Sequence, residues 1–550
     1  MEVEKLLEEA LKQKEVTRRT FLKMMAGLGL AGLAGSVGGC LRQHEVAAGG
    51  EGWLPYQYDV AGTWPAHVRG RVPIDPSNPS IMRDDRKCIL CGQCLEICHR
   101  VQSVYGYYEL PIRDDIVCIN CGQCSLACPT GAIQERDDTE KVLKALKDPN
   151  KFVVVQTAPS IRVALGEEFG MPPGTWVTGK MVAALRRLGF HAVLDTNFAA
   201  DLTIMEEATE LIKRIKGELP GRPLPQFTSC SPGWVKFCEY FYPDLLPHVS
   251  SCKSPQQMFG ATVKTYYAEK RGIDPRKIVS VSIMPCTAKK FEAQRPEMIS
   301  ARKYWEKKKG PDFAKDVTRD VDIVLTTREL AKLIKQAKID FPRLPDEDFD
   351  PLMGKCTGGA IIFGASGGVM EAAIRTAYFF ITGKEPPPQL LDLKPIRGLA
   401  SVKEAAVDIP GAGTIRVAVC QGMAASRQVL DIVRAGKAPW HFVEFMACPG
   451  GCESGGGQPR SSVPQANEVR AKRTASLYAA DARWVWRESH ENPDILKVYQ
   501  DFYGHPMSEL AEELLHTHYT SRADKLKAIQ PSEKEKPWEQ YYPARLTPEI

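Results

Sequence analysis

From residue 150 to 480 the chain alternates two hydrophobic rhythms. Short apolar runs bounded by turn residues, KFVVVQTAP (151–159), HAVLDT (191–196), IVSVSIMPC (278–286), DVDIVLTT (320–327) and TIRVAVCQG (414–422), have the length and β-branched content of buried strands. Between them, segments such as TIMEEATELIKRIKGEL (203–219) and TTRELAKLIKQA (326–337) repeat apolar residues at the helical period. Strands alternating with helices predict an α/β domain with parallel sheets and a functional site at the carboxyl ends of the strands. Outside this region the pattern fades. Residues 41–80 are rich in Gly, Pro and polar residues and read as a linker or arm, while the polar 481–550 reads as a helical tail wrapping the outside of the α/β domain.

Composition narrows the function classes. The 72 Lys+Arg against 67 Asp+Glu leave +5 over 550 residues, with no basic excess to grip a phosphate backbone, so nucleic acid is excluded as a main partner. Hydrophobic residues at 43% and charged residues at 25% match globular usage and exclude wholesale disorder. Cysteine is the anomaly: 17 are too sparse for a disulfide scaffold, yet eight fall between Cys88 and Cys128. Grouping of that kind points to metal.

The N-terminus reads as an address. TRRTFLK (17–23) precedes an uncharged, Gly/Ala-rich stretch (24–37), the pattern of a twin-arginine export signal. That implies the twin-arginine translocase as a partner and a periplasmic location, or one on the outer face of the cytoplasmic membrane. At 14 residues the stretch is shorter than the roughly 20 needed to span a bilayer. The route carries folded proteins, which suits a cofactor installed before export. Val37-Gly38-Gly39-Cys40 resembles a lipobox, in which Cys40 would carry a lipid anchor to a membrane. The expected organisation is therefore a signal over 1–40, an arm over 41–80, a cysteine-rich module over 81–145, the α/β domain over 146–480 and the tail over 481–550.

Within the module, Cys88, Cys91, Cys94 and Cys98 are spaced like Cys118, Cys121, Cys124 and Cys128-Pro129, the two-cluster bacterial ferredoxin pattern. Three cysteines of each run hold one 4Fe-4S cubane and the fourth crosses to the other, so Cys98 joins the second set and Cys128 the first. Soft thiolates suit iron–sulfide clusters, and zinc sites do not use eight cysteines in this doubled spacing. The expected fold is thus an α/β catalytic domain with parallel sheets, a small α+β two-cluster ferredoxin-like domain and a helical C-terminal tail. Two clusters form a wire, and the wire needs a terminus.

Three motifs mark that terminus: FTSCSPGW (227–234), MPCTAKKFE (284–292) and FMACPGGCESGGGQP (445–459). Together with SSCKSPQQMFGA (250–261), GASGGVMEAA (364–373) and SHENP (489–493), they make the chain resemble an iron-only (diiron) hydrogenase from about residue 81 to 520. The resemblance implies an H-cluster: a 4Fe-4S cubane joined through a cysteine sulfur to a diiron unit carrying CO, cyanide and a bridging dithiolate amine. It makes Cys452 the bridging thiolate and Cys286 and Cys448 further cubane ligands. Lys289 would pair with a cyanide, Met284 and Met446 would wall the cofactor, and Ala158, Pro159 and Ser160 would pack against the diiron unit and offer backbone N–H to a cyanide. On spacing alone, Cys448 and Cys452 at i, i+4 would share one helical turn.

One position departs from the family. Where it usually carries two adjacent cysteines, a proton relay and a cubane ligand, this chain has Cys230-Ser231. Three outcomes are open: Ser231 ligates iron, Cys230 swings in as a metal ligand and gives up the relay, or the activity is altered. A serine oxygen is harder and more basic than a thiolate. The resemblance routes protons through Cys230, Glu207, Ser250, Glu210 and Arg214 to the surface; Glu207 and Glu210 are i, i+3 and Arg214 is four beyond, on one helix face. Cys238, Cys356 and Cys420 read as buried thiols, and Cys252 as a candidate redox-sensitive one.

The expected function is reversible H2 oxidation and proton reduction, biased to uptake. Residues 81–140 carry six Lys+Arg against ten Asp+Glu, so a basic electron carrier such as a multihaem cytochrome c, or a ferredoxin, is the expected acceptor, with dedicated maturases building the cofactor. The alternatives are an iron–sulfur assembly relative, which would lack the export signal and the proton-path acids, a sensor, which would need a signalling module, and a catalytically silent electron-transfer protein, for which Ser231 is the only support.

Overall fold

A computed structural model of the chain describes residues 70–104, 116–462 and 465–527. The twin-arginine segment and the Cys40 lipobox lie outside the described residues. Gly70, Arg71 and Leu90–Gly92, with the half-buried Cys91, group with the N-terminal residues as a unit of their own. All other described residues form the second unit.

The expected apolar runs are strands. In chain order the strands are β1 (Ile81–Arg83), β2 (Ile133–Glu135), β3 (Phe152–Thr157), β4 (Ala192–Asp195), β5 (Gln226–Phe227), β6 (Ile278–Met284), β7 (Ile323–Thr326), β8 (Val402–Ile409), β9 (Gly413–Gln421) and β10 (Phe442–Met446), of which β3, β4, β6, β7 and β9 are the expected runs. One sheet has the order β4-β3-β6-β7 and is parallel throughout. Its register pairs Thr157 with both Asp195 and Ile283, and Met284 with Thr326, so the four carboxyl ends stand level. The second sheet has the order β5-β10-β9-β8, with β10 parallel to both its neighbours.

β8 is the exception to the expected parallel arrangement: it pairs antiparallel with β9 through a hairpin closed at Ile409 and Gly413. Along β8 Lys403, Val407 and Ile409 are buried while Glu404, Ala406 and Asp408 are exposed, the alternation of an edge strand with one wet face. Strands β1 and β2 form a separate antiparallel pair in the cysteine-rich module.

The helix Thr196–Ile215 starts directly at the end of β4, where the Asp195 carboxylate accepts from the Asn197 N–H (3.0 Å) and is itself held by Arg162 (2.8 Å). It is buried on nearly every face, Glu206, Glu207, Glu210 and Arg214 included, so it is no amphipathic surface helix. The tail is helical where described, but it does not merely wrap the outside. Tyr499, Tyr503, Ala511, Leu514 and Leu515 pack with Cys252, Met258 and Phe259 in one buried cluster. His516 forms an antiparallel bridge with Cys252, and Arg522 bonds the buried Glu239 (2.7 Å). No helix among the described residues is long and apolar enough to cross a membrane.

Candidate active site

The segments expected to line the cofactor leave the carboxyl ends of parallel strands: 158–160 follows β3, Cys230 and Ser231 follow β5, Cys286 follows β6, and Cys448 and Cys452 follow β10. Met284 and Met446 are the last residues of β6 and β10 and are each 2% exposed. Loops gathered at one end of two sheets put residues far apart in sequence around a shared space.

Cys286, Cys448 and Cys452 converge there. Burial pushes the Cys452 thiol up to about 12, with Cys286 adding and Lys289 opposing. Burial also raises Cys286, and it raises Cys448 well above the ordinary thiol range, with the charge of Cys286 next. Three clustered, buried thiols of that basicity are poor thiolates unless a metal holds them. Around them Thr157 Oγ1, Ser160 Oγ, both carboxylate oxygens of Glu207 and Glu453 Oε2 are buried with no hydrogen-bond partner among the described residues. Orphaned polar atoms around soft donors fit a polar, sulfur-ligated cofactor.

Local geometry corrects the route by which two of the sulfurs meet. Cys448 and Cys452 do not share a helical turn. Gly450 (φ 88°) and Gly451 (φ 100°) sit in the left-handed region, Gly451 N–H donates to the Cys448 carbonyl (3.0 Å), and Cys452 opens a short 3-10 helix through Ser454. The 158–160 segment also narrows: Ala158 N–H is spent on the Ile283 carbonyl (3.0 Å) and Pro159 has no N–H, which leaves Ser160 as the only donor of the three.

Cys230 and Ser231 face different neighbours. Burial, then the charges of Glu207 and Cys452, push the Cys230 thiol well above its ordinary range. The Ser231 hydroxyl instead accepts from Ala447 N–H (3.3 Å), one residue before Cys448. Lys289 fixes the pair from below, donating to the Cys230 carbonyl and to Glu292 Oε2, both at 3.0 Å.

From Cys230 the polar groups continue inward. Burial and the neighbouring Glu210 raise Glu207 to about 8. Ser250 Oγ donates to Glu210 Oε2 (2.7 Å). Burial opposes the charge on Glu210, but Arg214, His516 and Arg222 outweigh it and hold its carboxyl below the usual range. Arg214 does not reach the surface: its side chain is 0% exposed, bonded to Glu210 (2.6 Å) and to the carbonyls of Pro223, Pro247, His248 and Val249. The partner of Glu210 that does reach solvent is Arg222, 37% exposed and 2.9 Å away. A second branch runs from Ser251 Oγ to His516 Nδ1 (2.8 Å) and from His516 Nε2 to Glu206 (3.0 Å). Arg222, Ser251 and His516 were not read from the sequence; a loop residue and a tail histidine carry no periodic signal. Cys252 is fully buried with its thiol pushed well up, so it is no exposed redox-sensitive thiol; Cys238, Cys356 and Cys420 are buried as expected.

The cysteine-rich module abuts the same loops. Cys94, Cys124 and Cys128 are buried together, with Cys88, Cys98 and Cys118 packed against them. Burial raises Cys121, followed by the charges of Cys118, Cys98 and Cys286, so Cys98 stands with the second run and Cys121 stands next to the catalytic cysteines. Gln102 and Gln123 donate to the carbonyls of Ala447 (2.9 Å) and Ser454 (2.8 Å), and Thr287 Oγ1 donates to that of Asn120 (2.7 Å). At Gly456 a Cβ would meet the Cys121 carbonyl at 2.3 Å, so the two backbones touch only because glycine is there.

A model of the iron-only hydrogenase large subunit, C-terminal domain, matches residues 151–456, more than half of the chain. The chain belongs to the iron-only hydrogenases. Models of the iron hydrogenase small subunit and of a 4Fe-4S binding domain match residues 467–522 and 111–134 of this hydrogenase. It is 49% identical to an NADP-reducing hydrogenase subunit of Solidesulfovibrio fructosivorans, over 80% of this chain and 75% of that one. The periplasmic iron hydrogenase large subunit of Nitratidesulfovibrio vulgaris is also 49% identical, over 72% and 90%. A solved FeFe-hydrogenase structure from Chlamydomonas reinhardtii, 41% identical, superposes with a TM-score of 0.60 over 70% of this chain and 99% of that chain. As a hydrogenase the enzyme acts on H2 and protons with iron–sulfur clusters and an H-cluster. The ferredoxin-like module, parallel-sheet α/β domain and helical tail expected from the sequence are the family's fold.

Proposed function

We propose that this hydrogenase works as an exported H2-uptake enzyme in which Cys230 serves proton transfer and Ser231 occupies the fourth cubane position. The observation that carries the reading is the division of that pair: the Cys230 thiol feels Glu207 and Cys452, whereas Ser231 Oγ meets Ala447 N–H beside Cys448. The H-cluster, when bound, supplies the redox-active metal site at which dihydrogen is split and formed. Cys286, Cys448 and Cys452 would hold it, with Lys289 as the adjacent cation and Met284, Met446 and Ser160 as its walls.

The chain's own residues then move the proton. Cys230 exchanges it with Glu207, whose elevated affinity keeps it protonated near neutral pH. Ser250 passes it to Glu210, and Arg222 stands at the solvent end in place of the buried Arg214. Electrons leave through cubanes held by Cys88, Cys91, Cys94 and Cys98 and by Cys118, Cys121, Cys124 and Cys128, with Cys98 and Cys128 exchanged between the sets. The acidic module favours a basic carrier such as a multihaem cytochrome c over a ferredoxin. Twin-arginine export, a lipid at Cys40 and maturase-built cofactor complete the proposal; the periplasmic relative supports the location.

Infrared spectroscopy of anaerobically purified, maturase-loaded enzyme tests it. Metal-bound CO and cyanide bands that shift under H2, with faster cytochrome c reduction by H2 than the reverse reaction, are the expected result. Intact ferredoxin-type clusters without such bands would leave only an electron-transfer protein.

A further inference from the structure

Away from the catalytic centre, a histidine and two glutamates meet where the tail joins the catalytic domain. His490 Nε2 lies 3.4 Å from Glu488 Oε2 and 3.8 Å from Glu385 Oε2, and one ligand atom from each residue falls within 4.8 Å of the others. The His490 side chain is 6% exposed, stacked on Phe379 at 3.9 Å with a 12° tilt, and neither ring nitrogen has a hydrogen-bond partner among the described residues. Glu488 Oε2 is likewise buried without a partner, while Glu385 is 65% exposed. Glu488 also caps the Ser489–Glu491 turn, but nothing among the described residues hydrogen-bonds the stacked imidazole that faces the two carboxylates, an arrangement able to ligate a cation.

We propose that Glu385, Glu488 and His490 bind a divalent cation of the zinc class. Tetrahedral zinc with bonds of about 2.0–2.1 Å to nitrogen and oxygen spaces its ligand atoms about 3.4 Å apart. His490 and Glu488 already stand at that separation, and the exposed Glu385, 3.8 Å from His490 and within 4.8 Å of Glu488, closes in by side-chain rotation. Imidazole with two carboxylates suits zinc better than magnesium or calcium, which take oxygen ligands alone. Three protein ligands leave a fourth position for water on the open side.

The place gives the ion a task. Glu385 follows the helix Gly368–Thr382 of the catalytic domain, whereas Glu488 and His490 lie within the span matched by the small-subunit model. One cation would staple the two regions where relatives carry them as separate subunits.

The test uses the full-length, cluster-loaded enzyme, dialysed against buffered Zn2+ and assayed for zinc per chain at constant iron. One tightly held zinc is expected, undisturbed by millimolar Mg2+, with a zinc-dependent rise in the thermal midpoint. Glu385→Gln, at an exposed position, and Glu488→Gln are each expected to weaken zinc binding about tenfold or more and to abolish the thermal shift, with infrared bands and iron content unchanged. Absence of retained zinc in the wild type overturns the proposal, as does equal zinc affinity in wild type and both variants, which would put the metal on cysteines instead. Failure of hydrogenase activity would show in the infrared bands and not in the zinc count.

Discussion

Glu207→Gln isolates the proposed proton relay with the least disturbance of packing. Glu207 is fully enclosed, and burial plus Glu210 raise its proton affinity from the ordinary 4.5 to about 8. At about 1.36 kcal/mol per unit, the site disfavours the carboxylate by about 5 kcal/mol relative to water. The group therefore rests protonated at neutral pH and sits close enough to working pH to lose and regain its proton in each cycle. Glutamine keeps the shape and a polar end but carries no transferable proton. H2 oxidation by the holoenzyme is expected to fall about 10²–10⁴-fold, with infrared bands, iron content and fold intact. The same shift sets a stability signature. The folded state holds the proton more tightly than the unfolded one, so the wild type loses stability as pH rises from about 4.5 through 8, whereas the variant does not. Turnover within threefold of wild type, on enzyme with unchanged infrared bands, would refute the role of Glu207 and shift the relay to the His516 branch.

Ser231→Cys restores two adjacent thiols; the cubane is expected to resist chelators longer and its reduction potential to rise, read by electron paramagnetic resonance titration. Gly122→Ala places a Cβ 2.4 Å from Thr287 Oγ1 at φ +69°, so electron transfer to an external acceptor should drop while proton–deuterium exchange at the active site persists. Arg222→Ala, at the half-exposed outlet, should slow turnover most at low buffer concentration and be rescued by added small acids. Arg522→Ala leaves the buried Glu239 carboxylate with Arg295 and the Thr520 N–H and should lower stability by about 1–3 kcal/mol in chemical denaturation.

Strand-forming runs were legible because each buried strand is a short β-branched block between turn residues: β3, β4, β6 and β7 fall inside the segments so marked, and β9 begins one residue before its own, whereas β10 lay outside them. β8 was not, since its half-wet alternation of Lys403, Val407 and Ile409 with exposed polar residues is weaker than a continuous apolar run. The cysteine runs announced clusters through spacing alone, whereas the Cys448–Cys452 turn misled: an i, i+4 spacing suggests a helix, but two glycines at positive φ fold the segment otherwise. The family resemblance placed Arg214 at the outer end of the route. Only the three-dimensional arrangement shows four backbone carbonyls closing over it and Arg222, from the following loop, taking the exposed side.

The tail changes how the proposed proton route is read. Glu210 owes its depressed proton affinity partly to His516, a residue of the small-subunit-like segment, and His516 in turn bridges Ser251 and Glu206. Lys253 N–H donates to the Leu515 carbonyl and Thr517 N–H to that of Ser251, so the tail pairs along the strip that carries Ser250. Removing it would expose Cys252 and Glu210 together and replace a fixed set of charges by water. A proton path whose acids must differ in affinity, high at Glu207 and low at Glu210, depends on that enclosure. Carrying the segment on the same chain keeps the outer half of the gradient attached to the inner half. The fusion thereby ties the electrostatics of the relay to the folding of a single polypeptide.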